Sequence, residues 1–204
     1  IGGTSCINEQ GRPHTRDAER HPFSVSGGHV VTCLRRLDVI GLPVMHQQYG
    51  KPIGRVEELL FNKPGGRLIG FTLMGGTWWQ GVPVYPFEEV AVIGISAILV
   101  RDAEAVLTAK HQEKLEELKA NSVRLVGKRI IDDSGNDLGY IDDVFFETNH
   151  GKIVGYQISR GIIQDLLFCK TFLAADSDLT WGEEVAILRK TETVGQTDRS
   201  GGST

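Results

Sequence analysis

The chain has 204 residues, 40% of them hydrophobic and 24% charged, with 22 basic and 26 acidic side chains and a net charge of −4. That length suits one or two globular domains, and the mild acidic excess does not suggest a protein built to neutralise phosphates, which needs a concentrated basic face. No stretch approaches the roughly 18 consecutive apolar residues of a membrane span, since the longest, Val90 to Val100, is broken by Gly94 and Ser96.

Residues 1–33 carry Gly2-Gly3, Gly27-Gly28, Pro13 and Pro22 with little periodic apolar pattern. Such a segment buries too little surface to offset the entropy of ordering it, so a disordered leader is expected. From residue 34 to 102 the pattern sharpens. Leu37 to Met45 is rich in apolar and β-branched residues and is predicted to be extended. His46 to Lys51 is a polar turn, Ile53 to Phe61 a second strand, Lys63-Pro64-Gly65-Gly66 a turn, and Arg67 to Leu73 a third strand. Met74 to Gly81 is a glycine-flanked loop carrying Trp78-Trp79, Pro86 to Val90 reads as a turn or a single helical turn, and Val92-Ile93 and Ala97 to Val100 flank a turn centred on Gly94. Short strands at regular spacing, separated by turn signals, point to an all-β sandwich or barrel.

Residues 103–121 change character: Ala, Glu, Lys and Leu dominate, Pro and Gly are absent, and Leu107, Leu115 and Leu118 fall along one helical side. A helical linker, one helix or two short ones, is predicted, with His111 half-exposed on its apolar stripe. Residues 122–190 form a second β unit, and 191–204 a polar Thr/Gly/Ser tail expected to lack a fold.

The second unit repeats the first. Gly50 and Gly135, Gly54 and Gly139, and Gly70 and Gly155 are each 85 residues apart, and Gly41 and Gly127 are 86 apart. A glycine inside a strand weakens it unless a bulge, a barrel corner or a close backbone approach requires it. Two copies that keep the same costly residue indicate strands bent at those points.

In order, the shared elements are Ile40-Gly41-Leu42-Pro43-Val44, Gly50 to Val56, Glu58 to Phe61 and Arg67 to Gly70. In the second copy they are Val126 to Ile130, Gly135 to Ile141, Asp143 to Phe146 and Lys152 to Gly155. This ordered set resembles the PRC-barrel family, whose namesake is the cytoplasmic domain of the photosynthetic reaction-centre H subunit. The resemblance covers Leu37 to Val100 and Val123 to Leu188, and departs from the pattern where Ala174 stands in place of Pro86. It implies a mainly β protein: two tandem small, bent PRC-barrels of about six strands, joined by the helical linker. The family also includes the C-terminal domain of a ribosome-maturation factor. The resemblance therefore implies a protein-binding or scaffold role rather than catalysis, although fold alone does not dictate function.

No catalytic constellation stands beside it. Adjacent residues on a strand point to opposite faces, so the acidic pairs Glu57-Glu58, Glu88-Glu89, Asp132-Asp133, Asp142-Asp143 and Glu183-Glu184 do not converge as a dyad, and most are read as solvated turn or edge charges. The run Asp132 to Asp137 is oxygen-rich but lacks the spacing and terminal Glu of an EF-hand loop, so a hairpin turn is expected. The six histidines lack zinc-ligand spacing. Neither Gly65-Gly66 nor Gly75-Gly76 has the lysine and helix of a phosphate loop. The three cysteines, Cys6, Cys33 and Cys169, are odd in number and form no CxxC pair, which argues against a disulfide framework and for a reducing, cytoplasmic setting. Catalytic, cofactor and metal sites are therefore expected to be absent. Trp78 and Trp79 are the candidate partner-binding residues, because exposed tryptophan marks partner surfaces; the alternative is that both cover the open end of the barrel.

These observations predict a non-enzymatic protein-interaction or scaffold module with a protein partner. A peripheral accessory of a photosynthetic or electron-transfer membrane complex is one alternative. An RNA- or ribosome-associated assembly factor is another, weakly supported by the basic dipeptides Arg35-Arg36 and Lys128-Arg129.

Overall fold

The computed structural model describes residues 24–26, 29–62, 66–75, 83–108, 111–161 and 171–189. Two curled sheets follow each other along the chain. The first is built from β4 (Pro43–His46), β5 (Pro52–Asn62), β6 (Leu68–Leu73), β7 (Val84–Pro86), β8 (Val90–Ile93) and β9 (Ile98–Val100), in the spatial order β7-β6-β5-β4-β9-β8. The second repeats this as β14-β13-β12-β11-β16-β15, from β11 (Arg129–Asp132), β12 (Asp137–Glu147), β13 (Ile153–Ser159), β14 (Thr171–Ala174), β15 (Leu179–Trp181) and β16 (Val185–Leu188). Pairing is antiparallel except for β4 with β9 and β11 with β16, which run parallel. The six strands expected per barrel are present in each copy. The single helical turn expected after Pro86 is a 3₁₀ turn, Phe87–Glu89, that joins the two edge strands of the first sheet.

The repeated glycines sit where backbones close in. A Cβ on Gly70 would lie 2.6 Å from the Tyr85 carbonyl oxygen, and one on Gly155 would lie 2.8 Å from that of Leu173. Each glycine therefore lets a short strand, β7 or β14, press against the long central hairpin, which is how so small a sheet curls.

Two expectations need correction. Arg36–Val39 is a helical turn, α1, and takes in Leu37 to Val39 from the segment predicted to be extended. The Asp38 carboxylate accepts the Arg35 backbone N–H at 3.2 Å and the Arg35 guanidinium at 3.0 and 2.7 Å. This local side-chain capping overrides the apolar composition. The linker helix, α2, runs Gln112–Asn121 rather than from residue 103. Ahead of it Leu107 is held extended, exchanging backbone hydrogen bonds of 2.9 and 2.7 Å with Val84 on the β7 edge. Leu107, Leu115 and Leu118 still share one side. They pack with Leu60 and Val84 in a small cluster on the first barrel.

The barrels exchange strands. β3 (Cys33–Arg35), from the start of the first unit, pairs with β12 of the second barrel, placing Leu34 opposite Phe146. β10 (Ser122–Val123), following α2, pairs with β5 of the first, placing Val123 opposite Phe61. Between the barrels Leu68 N–H donates to Gly151 O at 2.8 Å and Ile153 N–H to Gly66 O at 3.1 Å. The Phe61 and Phe146 rings meet edge to face, 6.1 Å apart. One hydrophobic core therefore runs through both barrels, from Val44 and Phe71 to Ile130 and Ile158. Within the leader expected to lack a fold, β1 (Ser24–Ser26) and β2 (His29–Val31) pair as an antiparallel hairpin. The tail after residue 189 lies outside the described residues.

Candidate interaction surface

The two edges of the first sheet are treated differently. β7 is covered by the Leu107 segment. β8, at the other end, has β9 as its one strand partner among the described residues. An open edge presents backbone donors and acceptors to any extended chain that approaches. Alongside β8 runs a groove of about 440 Å³. Val90–Ile93, with Arg101, form one wall, and Thr32, Thr148 and Asn149 form the other. Val92 is 49% exposed, an apolar side chain on that open strand. The opposite wall is firm, because the Thr148 N–H and hydroxyl both donate to Thr32 O, at 2.9 and 3.1 Å. Arg101 is tied down as well, its backbone donating to Glu89 O at 3.0 Å and its guanidinium to Glu88 O at 2.8 Å. The groove thus combines an unpaired strand edge, an apolar side chain and hydroxyl and amide groups from the neighbouring barrel.

A charged cluster occupies the joint. Glu58 and Asp143 hold the same position in the two copies, 85 residues apart, and each carboxylate accepts the next backbone N–H, from Leu59 at 2.8 Å and Val144 at 2.9 Å. The Arg36 guanidinium grips Glu58 through both oxygens, at 2.6 and 2.5 Å. Hydrogen bonding to Glu58 raises the Arg36 pKa against the opposing effect of burial, and Asp143 and Asp142 add to the rise. Asp143 has no such grip. It is 1% exposed, and its Oδ2 is buried without a hydrogen-bond partner. Burial pushes its carboxyl up to about 6. The Val144 N–H, the Arg36 charge, the Leu37 N–H and the Arg35 charge oppose that rise.

The candidates singled out in the sequence are placed as follows. Trp78 and Trp79 lie outside the described residues, as do Cys6 and Cys169. Of the acidic pairs, Glu57-Glu58 and Asp142-Asp143 lie within strands, and Asp143 and Asp132 are not solvated, at 1% and 4% exposed. For Asp143 the reason is that α1, which continues from the paired strand β3, packs against β12 there. The Asp132 run is a hairpin turn whose carboxylate is consumed locally. Oδ1 accepts the N–H groups of Ser134 and Asn136 at 3.0 and 2.8 Å, and Oδ2 accepts Asn136 Nδ2 at 3.0 Å. Among the described residues no group of three or more His, Cys, Asp or Glu side chains is placed to hold a metal ion. His111 is exposed at the start of the helical segment, its Nδ1 accepting the Thr108 N–H at 3.2 Å. Cys33 is disulfide-bonded, contrary to the reading that no disulfide forms.

The geometry on the page is that of two copies of one curled six-stranded sheet. A model of the PRC-barrel domain matches residues 34–107 and again residues 120–173. The chain belongs to the PRC-barrel domain family. No curated protein matches it. Both family matches begin at the exchanged strands, at or just before Leu34 and Ser122. PRC-barrel domains serve as protein-interaction modules, and this chain carries two of them in tandem. No helix of the described residues is long and apolar enough to cross a membrane.

Sequence reasoning missed Arg36, Asp143 and the β8 groove. One signal was available for the first two: the same acidic-apolar-apolar-Phe motif recurs at Glu58 and Asp143. The two copies differ next to it, by three extra residues in the first, which form α1.

Proposed function

We propose that this PRC-barrel protein is a non-enzymatic scaffold, and that the groove between β8 and the Thr148-Asn149 turn receives an extended segment of a partner protein. The observation that carries this reading is the open β8 edge, lined on its far side by hydrogen-bonding groups of the second barrel. An extended segment laid there would add a strand to the first sheet through main-chain hydrogen bonds, with Val92 and Ile93 supplying side-chain contact. Because the groove has walls from both barrels, such a site exists only in the tandem arrangement. The Trp78-Trp79 pair is a second place for partner contact, supported by its sequence chemistry alone.

A photo-crosslinking residue placed at Val92, in cells that make the protein, tests the groove. The expected outcome is a discrete adduct at Val92 that is absent when the crosslinker replaces Tyr49, which is 74% exposed on the turn between β4 and β5. Ala91→Pro, which removes an edge N–H, abolishes the adduct with the melting temperature retained. The Trp78→Ala/Trp79→Ala variant leaves it intact if the groove is the site, and removes it if the tryptophans are. Identical adducts at Val92 and Tyr49 would refute the reading.

A further inference from the structure

The two copies are nearly equivalent, and α1 breaks the equivalence. Val39 and Leu125 match: both are buried, and each carbonyl accepts a backbone N–H three residues on, from Leu42 and Lys128 at 3.1 Å. Leu34 and Val123 also match, opposite Phe146 and Phe61. The first copy has three more residues between those points, and they build α1. α1 spans the joint. Its Arg36 side chain holds Glu58 of the first barrel, while the turn itself packs against β12, the strand that carries Asp143 of the second.

We propose that Asp143 is a proton-operated latch for the joint between the two barrels. As a neutral acid it lets α1 and β3 seat against β12. As a carboxylate it places a charge on a buried Oδ2 that has no hydrogen-bond partner among the described residues, and that face of the joint loosens. Among the described residues the charged groups around it are few. Arg35 and Arg36 come from β3 and α1. Arg35 is engaged by Asp38 and Arg36 by Glu58. Asp142 lies beside Asp143 on β12, and β13 presents the uncharged Gln157 opposite it. Neither arginine is therefore free to close on Asp143, and its carboxyl titrates near 6, within the range that cells reach. This inference is independent of the groove and of any partner.

Amide hydrogen exchange on the full-length chain tests it, read at Leu34, Arg35 and Leu37 and corrected for the intrinsic rate. Between pH 4 and 7 the wild-type protection of these amides is expected to fall by on the order of a hundredfold, while that of the β5–β6 hairpin stays level. Asp143→Asn, a permanent neutral isostere, is expected to show no such fall. A carbon-13 titration of the wild-type Asp143 carboxyl supplies a measurement that needs no variant, with a midpoint near 6 expected to coincide with the loss of protection. A midpoint at the ordinary carboxylate value, or the same pH-dependent loss in Asp143→Asn, overturns the proposal.

Discussion

Arg67 and Lys152 occupy the same place in the two copies, 85 residues apart, and their backbones pair with each other across the joint. A residue that meets its own counterpart marks a local two-fold axis, as at the centre of an isologous dimer interface. The flanking bonds, Leu68 to Gly151 and Ile153 to Gly66, obey the same relation. The chain thus forms internally the contact that two separate identical subunits would make.

The Phe61–Phe146 contact follows that axis, and both rings are at most 2% exposed. Either Phe→Ala substitution is expected to cost about 3–5 kcal/mol. A double-mutant cycle in urea should return a coupling of about 0.5–1.5 kcal/mol for the edge-to-face pair. Because one core runs through both barrels, the wild type should unfold in a single transition by fluorescence and circular dichroism alike.

Gly70→Ala places a methyl group against the Tyr85 carbonyl at 2.6 Å, and backbone cannot rotate away as a side chain can. A loss of about 1–3 kcal/mol is expected in thermal unfolding. Gly54→Ala, whose added carbon would rest at an ordinary 3.4 Å from Leu73, should cost clearly less.

Asp143 sets a pH dependence of definite sign. Its folded-state value of about 6 lies above the ordinary 3.8. The folded protein therefore binds the extra proton between those values, and stability from this group is full below about pH 4 and lost as pH rises through about 6. The swing is on the order of 3 kcal/mol. Chemical denaturation at pH 4.5 and 7.5 should show Asp143→Asn narrowing the difference seen in the wild type.

Tyr85 is fully buried, its ring stacks on Phe71 at 5.5 Å, and its hydroxyl donates to Asp102 O. Burial, with the Glu89 charge adding, raises its phenol to about 12. The contribution from this group holds below pH 10 and is lost as pH approaches 12. Tyr85→Phe should cost about 1–3 kcal/mol at neutral pH by leaving the Asp102 carbonyl unpaired, measured by denaturant midpoint.

The sheets were legible because their signals are local and occur twice: turn residues, strand glycines and the spacing of 85. The exchange of β3 and β10 was not legible. Strands of three and two residues carry no period of their own, and nothing near Leu34 announces a partner more than a hundred residues away. Arg35-Arg36 was weighed only as a basic dipeptide, because an arginine's partner is chosen by tertiary packing. Asp143 was read as solvated since alternation along β12 fixes its face but not what covers that face. The β8 groove has the same origin: one wall comes from each barrel, so neither copy shows it alone.

The exchanged strands also set an order of assembly during synthesis. The first barrel is chemically complete in sequence by Val100, yet the last strand of its sheet, β10, leaves the ribosome only after α2 has been made. β3, among the first of these elements to emerge, has no partner until β12 follows it. The first sheet is therefore complete only once Val123 has been made, and a ribosome stalled between β9 and β10 would hold one unfinished sheet beside a β3 whose partner strand is still unmade.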